Sequence, residues 1–144
     1  MKIEKIVREY NDNGTLTRED CYVNDKRHNP NGPAYKEWHS NGQLKAEAYF
    51  INNQHHNTNG PAYKFWYENG QLGGERYYIG GKLHNENDFA VKRWNENENI
   101  VAEEYWINDQ QLSREEFDNR NKPTCSCNGK EVIIDGKKYK LTLI

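Results

Sequence analysis

A repeated segment constrains the fold of this chain more than any other feature of its sequence. Residues 31–44 read NGPAYKEWHSNGQL, and residues 59–72 read NGPAYKFWYENGQL. Steps of 28 residues connect one aromatic ring in each of four copies: Tyr10, Trp38, Trp66 and Trp94. Self-similarity at a fixed period of this size indicates a repeat architecture, in which each unit packs against the next. We therefore expect about four units over residues 1–112.

Each unit is predicted to be a β-hairpin. In the second unit, residues 33–39 and 43–51 are the two arms, and Asn41-Gly42 lies between them. Asn-Gly is the strongest short signal for a two-residue type I′ turn, which needs positive φ at both central residues. The fold class predicted is therefore all-β, an elongated single-layer antiparallel sheet of successive 28-residue hairpins.

The two-residue turn sets a register with one pair of opposite charges in every unit. Lys36 then opposes Glu47, and the 28-residue step gives three further pairs: Arg8 with Glu19, Lys64 with Glu75, and Lys92 with Glu103. Cross-strand pairs of this kind contribute roughly 0.2–1 kcal/mol each, so they specify register more than stability. A three-residue turn with a bulge would break this pairing, which makes the pairs a test of the register.

The same register divides the side chains between two faces. One face recurs closely from unit to unit, and we interpret its rings as structural repeat positions: Trp38, Trp66, Trp94, Tyr49, Tyr77 and Tyr105. The other face varies, and Leu44 is assigned to it. Its rings are the candidate partner-binding residues: Tyr35, Phe50, Phe65, Tyr67, Tyr78 and Trp106. Aromatic side chains are enriched where proteins bind one another. The alternative is that these rings pack against the C-terminal segment or a second copy of the chain.

The segment between successive hairpins, residues 52–60 in the second unit, is predicted to be a loop that carries a repeated histidine. His28, His56 and His84 occupy this position. Equivalent residues would lie two strand spacings apart, roughly 9.5 Å, whereas each Zn–N bond is only about 2.1 Å. One ion cannot be shared, so packing or loop hydrogen bonding is the favoured role. Cys125 and Cys127 lack a second ligand pair nearby, and no metal or cofactor is predicted.

The period fails after Leu112, so residues 113–144 are predicted to form a separate C-terminal cap. Ser113-Arg-Glu-Glu116 is a capping-box pattern that begins a short helix ending near Asn119. Residues 121–129 are predicted to be a linker, and residues 131–144 a closing hairpin around Asp135-Gly136. Terminal units of repeat arrays are usually atypical in this way.

Composition excludes several classes of function. The net charge of −2 gives no general attraction to nucleic acid, so nucleic-acid binding is not expected. The recurrent carboxylates each oppose a cation and form no unique constellation, so no catalytic residue is predicted and an enzyme is not expected. Three cysteines in 144 residues provide no disulfide framework, and neither an apolar span nor a signal peptide is evident. A reducing, cytoplasmic location is the expectation.

The unit resembles a MORN repeat of the longer variant type. The residues that carry the resemblance are Gly60-Pro61-Ala62, Trp66-Tyr67, Asn69-Gly70, Tyr77-Tyr78-Ile79 and Gly80-Gly81-Lys82-Leu83-His84. It extends over about residues 3–112. The first unit lacks Gly-Pro-Ala, and the fourth has Asp88-Phe89 and Glu98 at the Gly-Pro and Gly positions.

The resemblance implies scaffolding, protein–protein contact and dimerisation. It also leaves two alternatives open, an antitoxin-like or regulatory partner of one specific protein and a peripheral lipid-binding protein. Variant repeats are abundant in giant DNA viruses and in some bacteria, where relatives are antitoxin-like. A viral member would lie in the host cytoplasm or the virion. A one-layer sheet leaves apolar surface to cover, which favours a homo-oligomer, and a dimer is the state expected.

Overall fold

The computed structural model describes residues 2–120, 130–134 and 136–140. The chain divides into two compact parts, residues 1–114 and residues 115–144. The strands of the N-terminal part are β1 (Lys5–Tyr10), β2 (Leu16–Val23), β3 (Lys26–Arg27), β4 (Tyr35–Trp38), β5 (Leu44–Ala48), β6 (Phe50–Ile51), β7 (Gln54–His55), β8 (Tyr63–Trp66), β9 (Leu72–Arg76), β10 (Tyr78–Ile79), β11 (Lys82–Leu83), β12 (Val91–Trp94), β13 (Ile100–Ile107) and β14 (Gln110–Leu112).

The principal sheet is antiparallel and follows the chain order of the hairpins. Its strands run β1-β2-β4-β5-β8-β9-β12-β13-β14, and β3 pairs with β2. The strands β6 with β7 and β10 with β11 form separate two-stranded ladders. The predicted all-β class and the succession of antiparallel hairpins are confirmed.

The Asn-Gly turns differ from the type predicted for them. In the second unit Gly42 donates its N–H to the carbonyl of His39 at 2.9 Å, and the His39 N–H donates to Gln43 at 2.9 Å. Gly42 has a φ of 84°, whereas Asn41 does not have a positive φ. This is a three-residue loop, a type I turn followed by a glycine bulge, rather than a type I′ turn. The Asn41 side chain accepts a hydrogen bond from the Gln43 N–H at 2.9 Å, which favours this form.

The predicted charge pairs are nevertheless opposed, because a second bulge compensates the longer turn. Trp38 pairs with Leu44, but Glu37 pairs with Ala46, so Lys45 is an extra residue and Lys36 opposes Glu47. The other three units shift at the equivalent place. The expectation that a bulged three-residue turn would break the pairing is therefore wrong.

This second bulge also corrects the face assigned to Leu44. Because Leu44 pairs directly with Trp38, both side chains lie on the same side of the sheet. We call this side, which bears Trp38, Trp66 and Trp94, the tryptophan face. The opposite side bears Tyr35, Phe50, Tyr63, Phe65 and Tyr78, and we call it the aromatic face.

The segment predicted as a plain loop contains a second, tighter hairpin in every unit. In the second unit Phe50 pairs with His55 and Ile51 with Gln54. Both turn residues have positive φ, at 51° for Asn52 and 69° for Asn53, as a type I′ turn requires. The equivalent dipeptides are Asn24-Asp25, Gly80-Gly81 and Asn108-Asp109. The sequence thus contains the type I′ turns, but at positions without an Asn-Gly pair.

Contacts between these second hairpins join successive units. The Asn53 N–H donates to the Arg27 carbonyl at 3.0 Å, and its side-chain oxygen accepts from the Arg27 N–H at 2.6 Å. Asp109 makes the same two contacts with Leu83, at 3.0 and 2.8 Å. Gly81 retains only the backbone bond, to His55 at 2.9 Å. Each unit therefore fixes the next along a line separate from the principal sheet.

The C-terminal part of the chain contains one helix and one hairpin among its described residues. Helix α1 (Arg114–Asn119) lies where the capping-box pattern places it, and its Phe117 is buried. The strands β15 (Glu131–Ile134) and β16 (Lys137–Lys140) pair as an antiparallel hairpin. The linker with Cys125 and Cys127 lies outside the described residues. Among the described residues, no helix has the length and apolar character needed to cross a membrane.

Candidate functional site

Stacked rings form the centre of the aromatic face. The rings of Phe50 and His55 lie 4.1 Å apart, and those of His55 and Tyr78 lie 5.0 Å apart. Tyr63 meets His55 edge-on at 6.2 Å. Burial lowers the pKa of His55, and the neighbouring Arg27 charge lowers it further. The imidazole is therefore held neutral as one more ring of the cluster.

A buried carboxylate positions two arginines beside these rings. Asp20 is only 2% exposed, and its oxygens lie 2.6 Å from Arg18 Nε and 2.7 Å from Arg27 Nε. The Arg18 contact is a hydrogen bond and raises the pKa of that guanidinium. The Arg27 contact is an ion pair without good hydrogen-bond alignment.

The two guanidinium groups then cover aromatic rings. Arg18 and Arg27 each lie 5.3 Å from the Tyr35 ring centre, and Arg27 lies 5.0 Å from that of Phe50. Such cation–π contacts are favourable within about 6 Å. These arginines, with neighbouring rings, line an open concavity of about 320 Å³, whose walls are Arg18, Arg27, Tyr35, Ala48, Phe50, His55 and Tyr63.

The structure brings together some of the predicted partner-binding residues and commits others to contacts within the array. Tyr35 and Phe50 line the concavity, and Tyr78 stacks on its His55. The Tyr67 hydroxyl donates to the Trp94 carbonyl of the next unit at 2.8 Å, and Trp106 Nε1 donates to Glu104 at 2.9 Å.

Phe65, another predicted partner residue, packs on glycine. A Cβ added at Gly73 or Gly74 would lie 2.2 or 2.5 Å from the Phe65 ring, so the ring occupies the space of both missing side chains. The ring centre also lies 6.3 Å from that of Tyr63 and 5.9 Å from that of Tyr67. Phe65 is half-buried and extends the ring cluster along β8.

A row of alternating charges crosses the tryptophan face. The four predicted pairs are opposed across neighbouring units as well, so the row reads Arg8, Glu19, Lys36, Glu47, Lys64, Glu75, Lys92 and Glu103 in the order of the strands. Arg8–Glu19 and Lys92–Glu103 are ion pairs at 2.8 Å, and Lys64–Glu47 is one at 3.7 Å. The row is balanced in charge.

The predicted structural rings lie beside this row. Trp38, Trp66, Trp94, Tyr49 and Tyr77 are half-buried, and Tyr105 is 9% exposed. Alanines lie between the tyrosines, and Ala34, Ala62 and Ala90 are at most 1% exposed. Shallow depressions lie between neighbouring side chains at the turn end of the sheet, one with Leu44 and Trp66 in its walls and one with Leu72 and Trp94.

The repeated histidines take part in loop hydrogen bonding. The Gly80 N–H donates to His56 Nδ1 at 3.0 Å, and the Asn108 N–H donates to His84 Nδ1 at 3.3 Å. His28 is 7% exposed, and its Nδ1 has no hydrogen-bond partner. The predicted role in loop hydrogen bonding is confirmed for His56 and His84. Within the described part of the chain, no group of three or more His, Cys, Asp or Glu side chains is placed to hold a metal ion.

Sequence reasoning missed a recurrent asparagine that shapes the links. Asn57 donates to the Pro61 carbonyl at 3.0 Å and accepts from the Asn59 N–H at 3.0 Å. Asn29 and Asn85 make the equivalent contacts. Their 28-residue spacing was the available signal. Grooves of about 720 and 490 Å³ lie between these successive link segments.

The aromatic-face network was missed as well. Asp20, Arg18 and Arg27 belong to the first repeat, and the second repeat does not reproduce them: Ala48, Ala46 and His55 occupy the positions 28 residues further on. The contact of His39 with the next unit was not predicted either. Its Nε2 lies 2.9 Å from the Trp66 carbonyl, as the Tyr67 hydroxyl lies close to that of Trp94.

The comparison with protein families agrees with this geometry. The family model described as MORN repeat variant matches residues 3–24, 34–52 and 62–79, which are the β1–β2, β4–β6 and β8–β10 segments of three successive units. The chain is a MORN-repeat protein. MORN repeats are generally non-catalytic modules that bind proteins or lipids. No curated protein and no solved structure matches the chain significantly.

Proposed function

We propose that this MORN array is a protein–protein interaction module that binds a partner protein through the aromatic face and also self-associates. One observation carries the first part of the proposal. Arg18 and Arg27, held in place by the buried Asp20, line an open concavity together with Tyr35, Phe50 and Tyr63. Arginine and tyrosine are among the side chains over-represented at the energetic centres of protein interfaces.

The charge of the aromatic face favours an acidic partner segment. Six cations lie on this face or bond to it: Lys5, Arg18, Arg27, Lys45, Arg76 and Arg93. Five carboxylates lie on this face or pair with it: Glu9, Asp20, Glu37, Glu68 and Glu104. The face is therefore positive by one charge in a chain whose net charge is −2. Complementary potential speeds encounter and disfavours wrong partners.

The tryptophan face supports the self-association. Four large apolar side chains on this face are at least 41% exposed: Ile6, Tyr10, Ile51 and Ile100. With the half-buried Trp38, Trp66 and Trp94 they leave apolar surface along this face, which is typical of an interaction site. The self-association is independent of the partner on the aromatic face and is tested separately below.

The test of partner binding is affinity capture with the full chain and two charge-reversal variants. Arg76 lies 5.6 Å from the Tyr63 ring centre on the aromatic face, whereas Lys82 is exposed in the short strand β11. Arg76→Glu should lose proteins that the natural chain and Lys82→Glu both retain. The same captured proteins from all three would place the partner surface elsewhere. Flotation with vesicles of anionic lipid, lost in Arg76→Glu, would instead favour lipid binding at this face.

A further inference from the structure

On the tryptophan face of the four central strands β4, β5, β8 and β9, the charge and the size of the side chains alternate from one strand to the next. Its charges read Lys36, Glu47, Lys64 and Glu75 from strand to strand. The neighbouring row alternates a large ring with an aliphatic side chain, as Trp38, Leu44, Trp66 and Leu72. This alternation follows from the hairpin repeat, since each unit contributes two unlike residues to each row.

A third row, on the other side of the charges, alternates a small side chain with a ring. Backbone hydrogen bonds place Ala34 and Ala62 on either side of the strand with Tyr49, and Ala62 and Ala90 on either side of the corresponding strand with Tyr77. The alanines are at most 1% exposed, whereas the tyrosines are half-buried. In this row, too, each large ring is flanked by small side chains.

When a row of alternating charges with an even number of members is reversed, each positive position faces a negative one of the original row. A twofold axis that lies parallel to the strands, midway between β5 and β8, reverses the row in a second copy placed face to face. Lys64 then faces Glu47 of the second copy, and Lys36 faces its Glu75. Along the neighbouring row, Trp66 faces Leu44 and Trp38 faces Leu72. All of these contacts occur twice, as an isologous interface requires.

The other in-plane twofold, at right angles to the strands, gives the opposite result. It places Lys36 against Lys36 and Glu47 against Glu47, which is strongly unfavourable between like charges. The charge row therefore selects one of the two symmetric arrangements. Because sheets twist by about 20–25° per strand, only the central strands can face one another closely.

We propose that a second copy of this chain covers the tryptophan face about the twofold axis parallel to the strands. This inference rests on the proposed self-association and adds the surface, the symmetry and the paired residues. Ile51, which follows β5 and is 41% exposed, provides apolar surface to bury together with the half-buried Trp38 and Trp66. The alternating charges then fix the register of the two sheets, since a shift by one strand would oppose like charges.

The test uses two single variants and their mixture. In Lys64→Glu, the axis brings the introduced carboxylate of one copy against Glu47 of the other, and in Glu47→Lys it brings two lysines together. Sedimentation velocity should show the dimer dissociation constant of each variant raised about tenfold or more. The equimolar mixture should regain the natural dimer, because each variant supplies the charge that the other copy needs. The in-chain pair is broken in both variants, so recovery must come from contact between copies.

Matched controls distinguish a broken interface from a loss of folding. Melting curves establish that both variants are folded. If either is not folded, the pair Lys36→Glu and Glu75→Lys repeats the test at the other predicted contact between copies, Lys36 with Glu75. Arg76→Glu on the opposite face should dimerise like the natural chain. A natural chain that remains monomeric at millimolar concentration overturns the self-association itself. Three outcomes overturn this interface and leave self-association standing. Both single variants could dimerise as tightly as the natural chain, the mixture could fail to dimerise, or Arg76→Glu could weaken the dimer.

Discussion

The two faces of one sheet use the same strands in different ways. On the tryptophan face nearly every position recurs at 28 residues, and Ile6, Tyr10, Ile51 and Ile100 stay at least 41% exposed. On the aromatic face the rings contact one another, and the arginines over them are fixed by a single buried carboxylate. The difference teaches that periodicity marks the contacts every unit must make.

Departures from the period mark the places where one repeat packs differently from the others. Phe65 replaces the Glu37 of the preceding unit, and Gly74 replaces the Ala46 that lies opposite Glu37. A ring and the space it needs have thus been introduced together. We expect substitutions on the aromatic face to act through specific partners, and those on the tryptophan face to act weakly within one chain.

The largest contrast between the faces should come from two adjacent acids, Asp20 and Glu19. Asp20→Asn leaves the guanidinium groups of Arg18 and Arg27 without their buried counter-charge. Because these side chains are 36% and 25% exposed, water offsets part of the penalty, and we expect a loss of about 2–3 kcal/mol in the free energy of unfolding. Urea titration measures it.

Glu19→Gln is the matched control on the tryptophan face. Its partner Arg8 is 48% exposed, and a solvent-exposed pair contributes little, so Glu19→Gln should lose much less stability than Asp20→Asn. Equal losses in the two variants would mean that the aromatic face has no more organised network than the other.

The second contrast concerns the fit of Phe65 on glycine. Gly74→Ala places a methyl group in the ring and 3.2 Å from the Lys92 carbonyl, so overpacking should cost about 2 kcal/mol. In a Phe65→Glu background, which reproduces the pair Glu37 and Ala46, the same change should cost little. A double-mutant cycle on unfolding free energies measures this coupling. Additive effects of the two substitutions would show that the ring and the glycine are independent.

The hairpin order of the sheet was predictable because it depends on local signals repeated several times. The opposition of Lys36 and Glu47 was predicted even though the turn type was wrong, since two one-residue irregularities compensate each other. Counting residues cannot reveal such compensation, because a longer turn and a bulge leave the same sum. The error appears only beside the turn, where Leu44 lies on the face opposite to its predicted one.

The aromatic-face site was only partly predictable. Tyr35, Phe50 and Tyr78 were identified because rings stand out on a variable face. Asp20 was missed because its importance arises from packing against Arg27 of β3, a strand too short to have a periodic signal. The second hairpins were missed for a related reason. Their Asn-Asn and Gly-Gly turns tolerate positive φ as Asn-Gly does, but the Asn-Gly pairs had already been assigned to the turns.

A smaller effect is expected at the turns, which belong to neither face and serve as a reference. Glu98 has a φ of 60° at the position that Gly42 occupies with a φ of 84°. Because a side chain in this left-handed region costs roughly 1–2 kcal/mol, Gly42→Glu should lower the unfolding free energy by about 1 kcal/mol. Glu98→Gly should raise it by a similar or smaller amount, since glycine also loses more chain entropy on folding. Thermal melting of the two variants measures both changes. An unfolding free energy that Glu98→Gly leaves unchanged or lowers would contradict the strain at Glu98.

The smallest expected effect is a pH dependence confined to the aromatic face. Burial among rings and the charge of Arg27 lower the pKa of His55 from its ordinary value of 6.5. The unfolded chain therefore binds a proton more readily than the folded one as the pH falls below 6.5, and stability present above this pH is lost progressively toward the folded-state pKa.

His55→Phe keeps a ring in the cluster but removes the titration, so its unfolding free energy should fall less than that of the natural chain between about pH 7 and pH 5. All other titrating groups are common to both chains, and the difference between the two pH curves isolates His55. The adjacent His56 uses Nδ1 to accept the Gly80 N–H at 3.0 Å and stands outside the ring cluster. Parallel pH curves for the natural chain and His55→Phe would show that the neutral imidazole makes no such contribution to the aromatic face.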